Sequence, residues 1–149
     1  MTLPARLDDY PLRSHDKLRY GDTDRQGHIN NAVFSTFLET GRVEMIYDGK
    51  AALSDDGCSF VIARLELDFV SEMLWPGRVE IGSGVIAVGR SSIRMEQALF
   101  QGERLVALAR TVMVQVNDGT RRSQALSERL AARLAAFHKA PREGAAPGA

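Results

Sequence analysis

Residues 30–47 limit what the rest of the chain can build. Phe34, Phe37, Leu38, Gly41, Met45 and Ile46 recur near i, i+3, i+4 and i+7, the spacing of one face of an α-helix. Val33 and Val43 lie off that stripe, so the helix is expected to be buried on more than one side. Asn30 or Asn31 is placed to cap its start, and Asp48-Gly49 to end it.

Four strand-like runs follow. In residues 60–70 the odd positions Val61, Ala63, Leu65, Leu67 and Phe69 are apolar, while Arg64, Glu66 and Asp68 are charged. That alternation predicts a half-buried strand. Trp75-Pro76-Gly77 turns the chain into a strand over 78–88, carrying Val79, Ile81, Val85 and Ala87. Gly89-Arg90-Ser91 connects it to residues 92–100, where Ile93, Met95, Gln97 and Leu99 share a face. Gln101-Gly102-Glu103 closes the next hairpin, and residues 104–116 form a long strand apolar on much of both faces. Asn117-Asp118-Gly119 ends it. A last helix is predicted over 124–138, with Leu126, Leu130, Leu134 and Phe137 on one stripe, and a short strand near 17–21. A long early helix, an antiparallel meander and a terminal helix make an α+β chain, the early helix covering one face of the sheet. One domain is expected over 17–138, after an N-terminal segment 1–16. Residues 139–149 end in APREGAAPGA, which reads as a disordered tail.

Composition excludes several function classes. Lys plus Arg (19) balances Asp plus Glu (19), which gives neither the basic footprint of a nucleic-acid binder nor a polybasic membrane-surface patch. The single Cys58 allows no intramolecular disulfide. The chain opens on polar residues and has no run of about 18 apolar ones, so the expected location is the cytoplasm, with no membrane partner.

The chemistry is concentrated in residues 19–31, Arg19-Tyr20-Gly21-Asp22-Thr23-Asp24-Arg25-Gln26-Gly27-His28-Ile29-Asn30-Asn31. Two carboxylates, a histidine and two asparagines crowd between a strand and a buried helix, more hydrogen-bonding groups than a connector needs. Three readings compete. Asp22, Asp24, Gln26 and Gly27 imitate the start of a calcium loop, but Val33 stands where that loop needs a bidentate Glu. With His15, His28 and His138 as the only histidines, a zinc site is also poorly supplied. A Ser or Cys nucleophile lacks its setting, since there is no G-x-S-x-G elbow and Cys58 has no nearby histidine. The third reading sets Asp24 beside a helix N-terminus. Asp24 serves as nucleophile or general base there, and the unpaired N–H groups of the first turn stabilise a developing oxyanion.

The run Asp22-Thr23-Asp24-Arg25-Gln26-Gly27-His28-Ile29-Asn30-Asn31, with Phe37-Leu38-Glu39 and Arg42 after it, resembles the signature of hot-dog-fold acyl-CoA thioesterases of the 4-hydroxybenzoyl-CoA thioesterase type. The resemblance continues through Pro76-Gly77 and Gly89-Arg90-Ser91-Ser92. It implies an antiparallel sheet wrapped around the 30–47 helix. It implies hydrolysis of an acyl-CoA thioester with no metal or organic cofactor, in a homodimer or homotetramer whose acyl and CoA parts lie across the subunit interface. The even-face residues of the 60–70 strand are candidates for that interface. The catalytic carboxylate falls on Asp24, and the backbone N–H that meets the thioester carbonyl falls on Asn31. A thiol of pKa about 8.5 leaves readily, so attack and oxyanion stabilisation suffice. Losing one such donor costs about 2.7–4 kcal/mol.

Each neighbour has a second reading. Asp22 is expected to brace the turn. Gly27 supplies a backbone geometry closed to other residues, or close approach to substrate. His28 orients a water or the thioester, or makes a structural hydrogen bond. Asn30 is an N-cap or a substrate contact. Glu39 is the alternative carboxylate, because another hot-dog branch carries its acid on the helix, although an ion pair with Arg42 accounts for it more simply. Arg90, with Ser91 or Ser92, matches the family's contacts to coenzyme A; an ordinary exposed arginine is the other reading. Residues 51–60 and the partner subunit are expected to set acyl specificity. The same fold hosts two competing functions, a non-catalytic acyl-CoA or acyl-carrier binding module and a hydratase or dehydratase.

Overall fold

The computed structural model describes residues 5–47 and 52–140. Strands β1 (Leu12–Lys17), β2 (Cys58–Phe69), β3 (Arg78–Val88), β4 (Ser92–Gln101) and β5 (Arg104–Asn117) form one antiparallel sheet in the order β1-β3-β4-β5-β2. Helix α1 (Asn31–Ile46) packs across β1, β3 and β4, and α2 (Glu128–Leu134) closes one end. This is the α+β arrangement expected. Asp48-Gly49, Ala51 and residues 141–149, on which the helix stop, part of the specificity segment and most of the tail were read, lie outside the described residues.

α1 meets the sheet closely because of Gly41. A Cβ at that position would come within 2.8 Å of Gln97 Nε2, Ile81 Cγ2 and Ser83 Oγ. Beside it, buried Gln97 donates from Nε2 to Leu38 O (3.0 Å) and to Ser83 Oγ (2.9 Å), and Arg42 Nη1 donates to Gln97 Oε1 (3.2 Å). Gln97, Ser83 and Arg42 are thereby hydrogen-bonded to one another in the helix–sheet contact, whereas the buried Ser14 Oγ and Thr111 Oγ1 have no partner among the described residues. Burial lowers the Arg42 pKa, partly offset by the field of Glu39. The expected Glu39–Arg42 ion pair is not formed, since the guanidinium turns inward to Gln97.

Four sequence expectations are corrected. α1 is buried on one side only: Thr36, Glu39 and Val43 are exposed, because a single sheet covers a single helix face. The first strand is Leu12–Lys17 rather than 17–21. Asp22 accepts a hydrogen bond from Arg19 N (2.9 Å), and this turns Tyr20–Asp22 into a short 3-10 helix. The terminal helix begins at Glu128, not 124, because Gln124 N and Leu126 N donate to Gln115 O and Arg90 O (2.9 and 2.8 Å) instead of joining a helix. Ser127 then caps it through Leu130 N. In β2 the register jumps from Ile62↔Met113 to Arg64↔Val112, a bulge at Ala63. Leu65 and Leu67 pack on the helix-side core as the alternation predicts, but before the bulge it is Phe60, not Val61, that does so.

Candidate active site

The turn before α1 is built by Asp24. Its Oδ1 accepts from Gln26 N (2.8 Å) and His28 N (3.1 Å), while its backbone N–H donates to His28 O (2.7 Å) and its C=O accepts from Gly27 N (3.1 Å). Gly27 makes the reversal with φ 81°, a conformation that costs a side-chain-bearing residue about 1–2 kcal/mol. Oδ1 is occupied by two amides, and Asp24 Oδ2 has no hydrogen-bond partner among the described residues. The half-buried carboxylate therefore has one oxygen committed to the fold and one available for chemistry.

The helix start follows directly. Asn30 is the N-cap: its Oδ1 accepts from Ala32 N (2.9 Å) and its C=O from Val33 N (2.9 Å), so Asn31 is the first helical residue. Asn30 N donates to Asp22 O (2.8 Å), and Ile29 N to Met73 O (2.8 Å), which fixes the helix entry to both neighbouring loops. Asp22 is buried and its Oδ2 takes Arg19 N, so it braces the turn.

A groove at this corner is lined by Asp24, His28, Asn31, Phe34, Phe69 and Glu72 among others. One wall is apolar, with Phe34 and Phe69 edge to face at 5.2 Å. Phe69 and Val70, at the end of edge strand β2, remain half exposed. On the polar wall, His28 Nε2 lies 2.9 Å from Glu72 Oε2. Glu72 carries no local signal in the sequence, lying in the connector 71–73 after β2. Nothing local signals a contact made so far along the chain. Glu39 does not line this groove.

The structure thus brings together Asp24, Gly27, His28, Asn30 and Asn31. It does not bring Arg90, Ser91 and Ser92 to them. His28 bridges Leu74, near the start of β3, whereas Arg90 follows its end. Eleven extended residues separate the two, roughly 35 Å. The Arg90 turn is itself well held, with Gly89 N donating to Ser92 O, Gln115 N to Ser91 O and Leu126 N to Arg90 O, each 2.8 Å.

Cys58 is at that far end also. Burial first, then the fields of Asp55, Asp118 and Asp56, push its thiol pKa up, which disfavours the nucleophilic thiolate. Among the described residues, no group of three or more His, Cys, Asp or Glu could hold a metal ion, and no helix is long and apolar enough to cross a membrane.

A family model described as the thioesterase-like superfamily matches residues 18–134. A predicted thioesterase from Bacillus stearothermophilus superposes with a TM-score of 0.78 at 26% identity, over 87% of this chain and 97% of that one. A Thermus thermophilus thioesterase solved with coenzyme A and Zn gives 0.77 at 30% identity, over 87% and 96%. A Staphylococcus aureus protein solved with CoA shares the fold (TM-score 0.79, 91% and 89% covered) at 14% identity. No curated protein matches the sequence.

Proposed function

The chain belongs to the thioesterase-like superfamily and has its hot-dog fold, and from that premise we propose that it is an acyl-CoA thioesterase with Asp24 as its catalytic carboxylate. The observation that carries the reading is the division of labour within Asp24, with Oδ1 held by two amides and Oδ2 free at a groove beside a helix N-terminus. The thioester carbonyl is placed against the Asn31 N–H, in the positive end of the α1 dipole. An oxygen nucleophile, water activated by Asp24 or Asp24 itself, adds to the carbonyl carbon. The oxyanion is held by the amide, and the C–S bond breaks with its electron pair leaving on sulfur. When water attacks, its proton ends on the thiolate, giving acid and CoA. When Asp24 attacks, the mixed anhydride it forms is cleaved by a water, which releases the acid, restores the carboxylate and supplies the proton to the thiolate. Phe34 and Phe69 supply an apolar wall for the acyl group.

The coenzyme A end calls for a second copy of the chain. β2 is a long edge strand with Val61, Ile62, Phe69 and Val70 exposed, a surface that monomeric proteins avoid. Two β2 strands paired antiparallel about a two-fold set the Phe69 end of one beside the Cys58 end of the other. Cys58 pairs with Asn117, and Ser92 with the nearby Val114, so the Arg90 turn belongs to the Cys58 end. The second copy's Arg90, Ser91 and Ser92 are then carried toward Asp24, where they meet the phosphates of CoA. Gly27, His28 and Asn30 line the thioester between.

The test is free-thiol release from short, long and aromatic acyl-CoAs. The reading predicts turnover of at least one class. Binding without thiol release would make the chain a binding module instead, and loss of enone absorbance from an enoyl-CoA without thiol would make it a hydratase.

A further inference from the structure

His28 carries two ring nitrogens, and its environment distinguishes them. Nε2 faces a carboxylate oxygen of Glu72 at 2.9 Å. A carboxylate is an acceptor only, so the neutral ring bonded to it keeps its proton on Nε2 and presents Nδ1 as an acceptor. An exposed side-chain pair is ordinarily a weak organiser, because both side chains must be immobilised. Here both backbones are already fixed. His28 N donates to Asp24 Oδ1 and its C=O accepts from Asp24 N, while the His28–Leu74 bridge ties it to the opposite loop. The loop that bears Glu72 is pinned on both sides. Ser71 Oγ donates to Leu105 O (2.7 Å), Arg104 Nη1 donates to Glu72 O, and Gln101 bonds both the N–H and the C=O of Leu74. Met73 O accepts from Ile29 N, one residue from His28. The carboxylate and the ring are therefore presented to each other by rigid supports, and little entropy is lost in pairing them.

We propose that Glu72 is a positioning residue that fixes His28 with Nδ1 as a hydrogen-bond acceptor, so that His28 orients the attacking water rather than donating to the thioester carbonyl. The inference rests on the thioesterase reading and narrows it. An acceptor nitrogen has nothing to offer a carbonyl oxygen. It can take one O–H of a water whose other O–H meets Asp24 Oδ2, since both side chains line one groove. The water lone pair is then left for the carbonyl carbon. Oxyanion stabilisation stays with the Asn31 amide.

The experiment compares Glu72→Ala, Glu72→Gln and Asp24→Asn with the wild type by acyl-CoA kinetics, thermal unfolding and NMR of the His28 ring. Glutamine retains a carbonyl oxygen that accepts from Nε2–H, and alanine does not. Glu72→Ala is expected to lower kcat at least about tenfold with KM and Tm unchanged, and Glu72→Gln to stay within about threefold of wild type. The wild-type ring proton is expected on Nε2, as an exchange-protected resonance lost in Glu72→Ala. A ring proton on Nδ1, an unchanged kcat in Glu72→Ala, or equal loss in the Gln and Ala variants overturns the inference. If Asp24→Asn is inactive while Glu72→Ala matches wild type, this inference alone fails. If the wild type turns over no thioester, the thioesterase reading fails with it, whatever the NMR shows.

Discussion

In the proposed reaction Asp24 combines two tasks in one side chain, and the division sets the cost of changing it. Oδ1 holds the turn through two amides, so an asparagine can keep the acceptor at Oδ1 while losing the charged oxygen that faces the groove. Gly27 also sets the shape of the turn, and that part of its role is read in stability. Gly27→Ala places a side chain at φ 81° and is expected to cost about 1–2 kcal/mol in urea unfolding. An unchanged midpoint would mean that the turn relaxes. At this scale the sequence was informative where contacts are local. Asp22, Asp24, Gly27 and Asn30 bond within a few residues of one another, so their spacing announces a turn and a cap. Glu72 reaches His28 only through the tertiary fold, and no spacing rule finds it.

At the scale of elements, α1 and α2 are held by different physics. Gly41→Ala drives a methyl into Gln97, Ile81 and Ser83, and the expected loss is about 1–3 kcal/mol of unfolding free energy with the site turn intact. α2 hangs on Asp55, which accepts from Ser127 N (2.9 Å), Ser127 Oγ and Gln115 Nε2 (3.0 Å). Desolvation pushes that carboxyl upward, but the hydrogen bonds from Ser127 and Gln115, with the field of Arg129, outweigh it and lower its pKa. The sign follows from linkage. A depressed folded-state pKa stabilises the fold above the unfolded value of about 3.9, and that contribution is lost as pH falls through the lower folded value. Asp55→Asn is expected to cost about 1–3 kcal/mol at neutral pH and to flatten the acid limb of the stability profile below about pH 4. A mutant as stable as wild type at pH 7 would contradict this. Strand limits were legible because β3, β4 and β5 begin and end on turn residues such as Gly102, at φ 62°. The bulge at Ala63 was not, since unbroken apolar alternation conceals an inserted residue, and the late start of α2 depends on backbone bonds to β5 and the Arg90 turn.

For the whole molecule, the decisive fact is that the Asp24 turn and the Arg90 turn lie at opposite ends of one sheet. The dimer proposed through β2 would reconcile them. Sedimentation is expected to show at least a dimer, and Ile62→Lys on the exposed edge strand to yield monomer with activity lost although Asp24 is untouched. A fully active monomer would remove the reason for placing CoA across two chains. One measurement bears most directly on Asp24 as the catalytic carboxylate. Free-thiol release from the best acyl-CoA substrate is compared for wild type and Asp24→Asn, with substrate binding to the variant measured alongside. The expected result is undiminished binding and a rate lower by at least about a hundredfold, roughly 2.7 kcal/mol of barrier. An Asp24→Asn variant that hydrolyses its substrate at close to the wild-type rate would contradict it and return attention to Glu39.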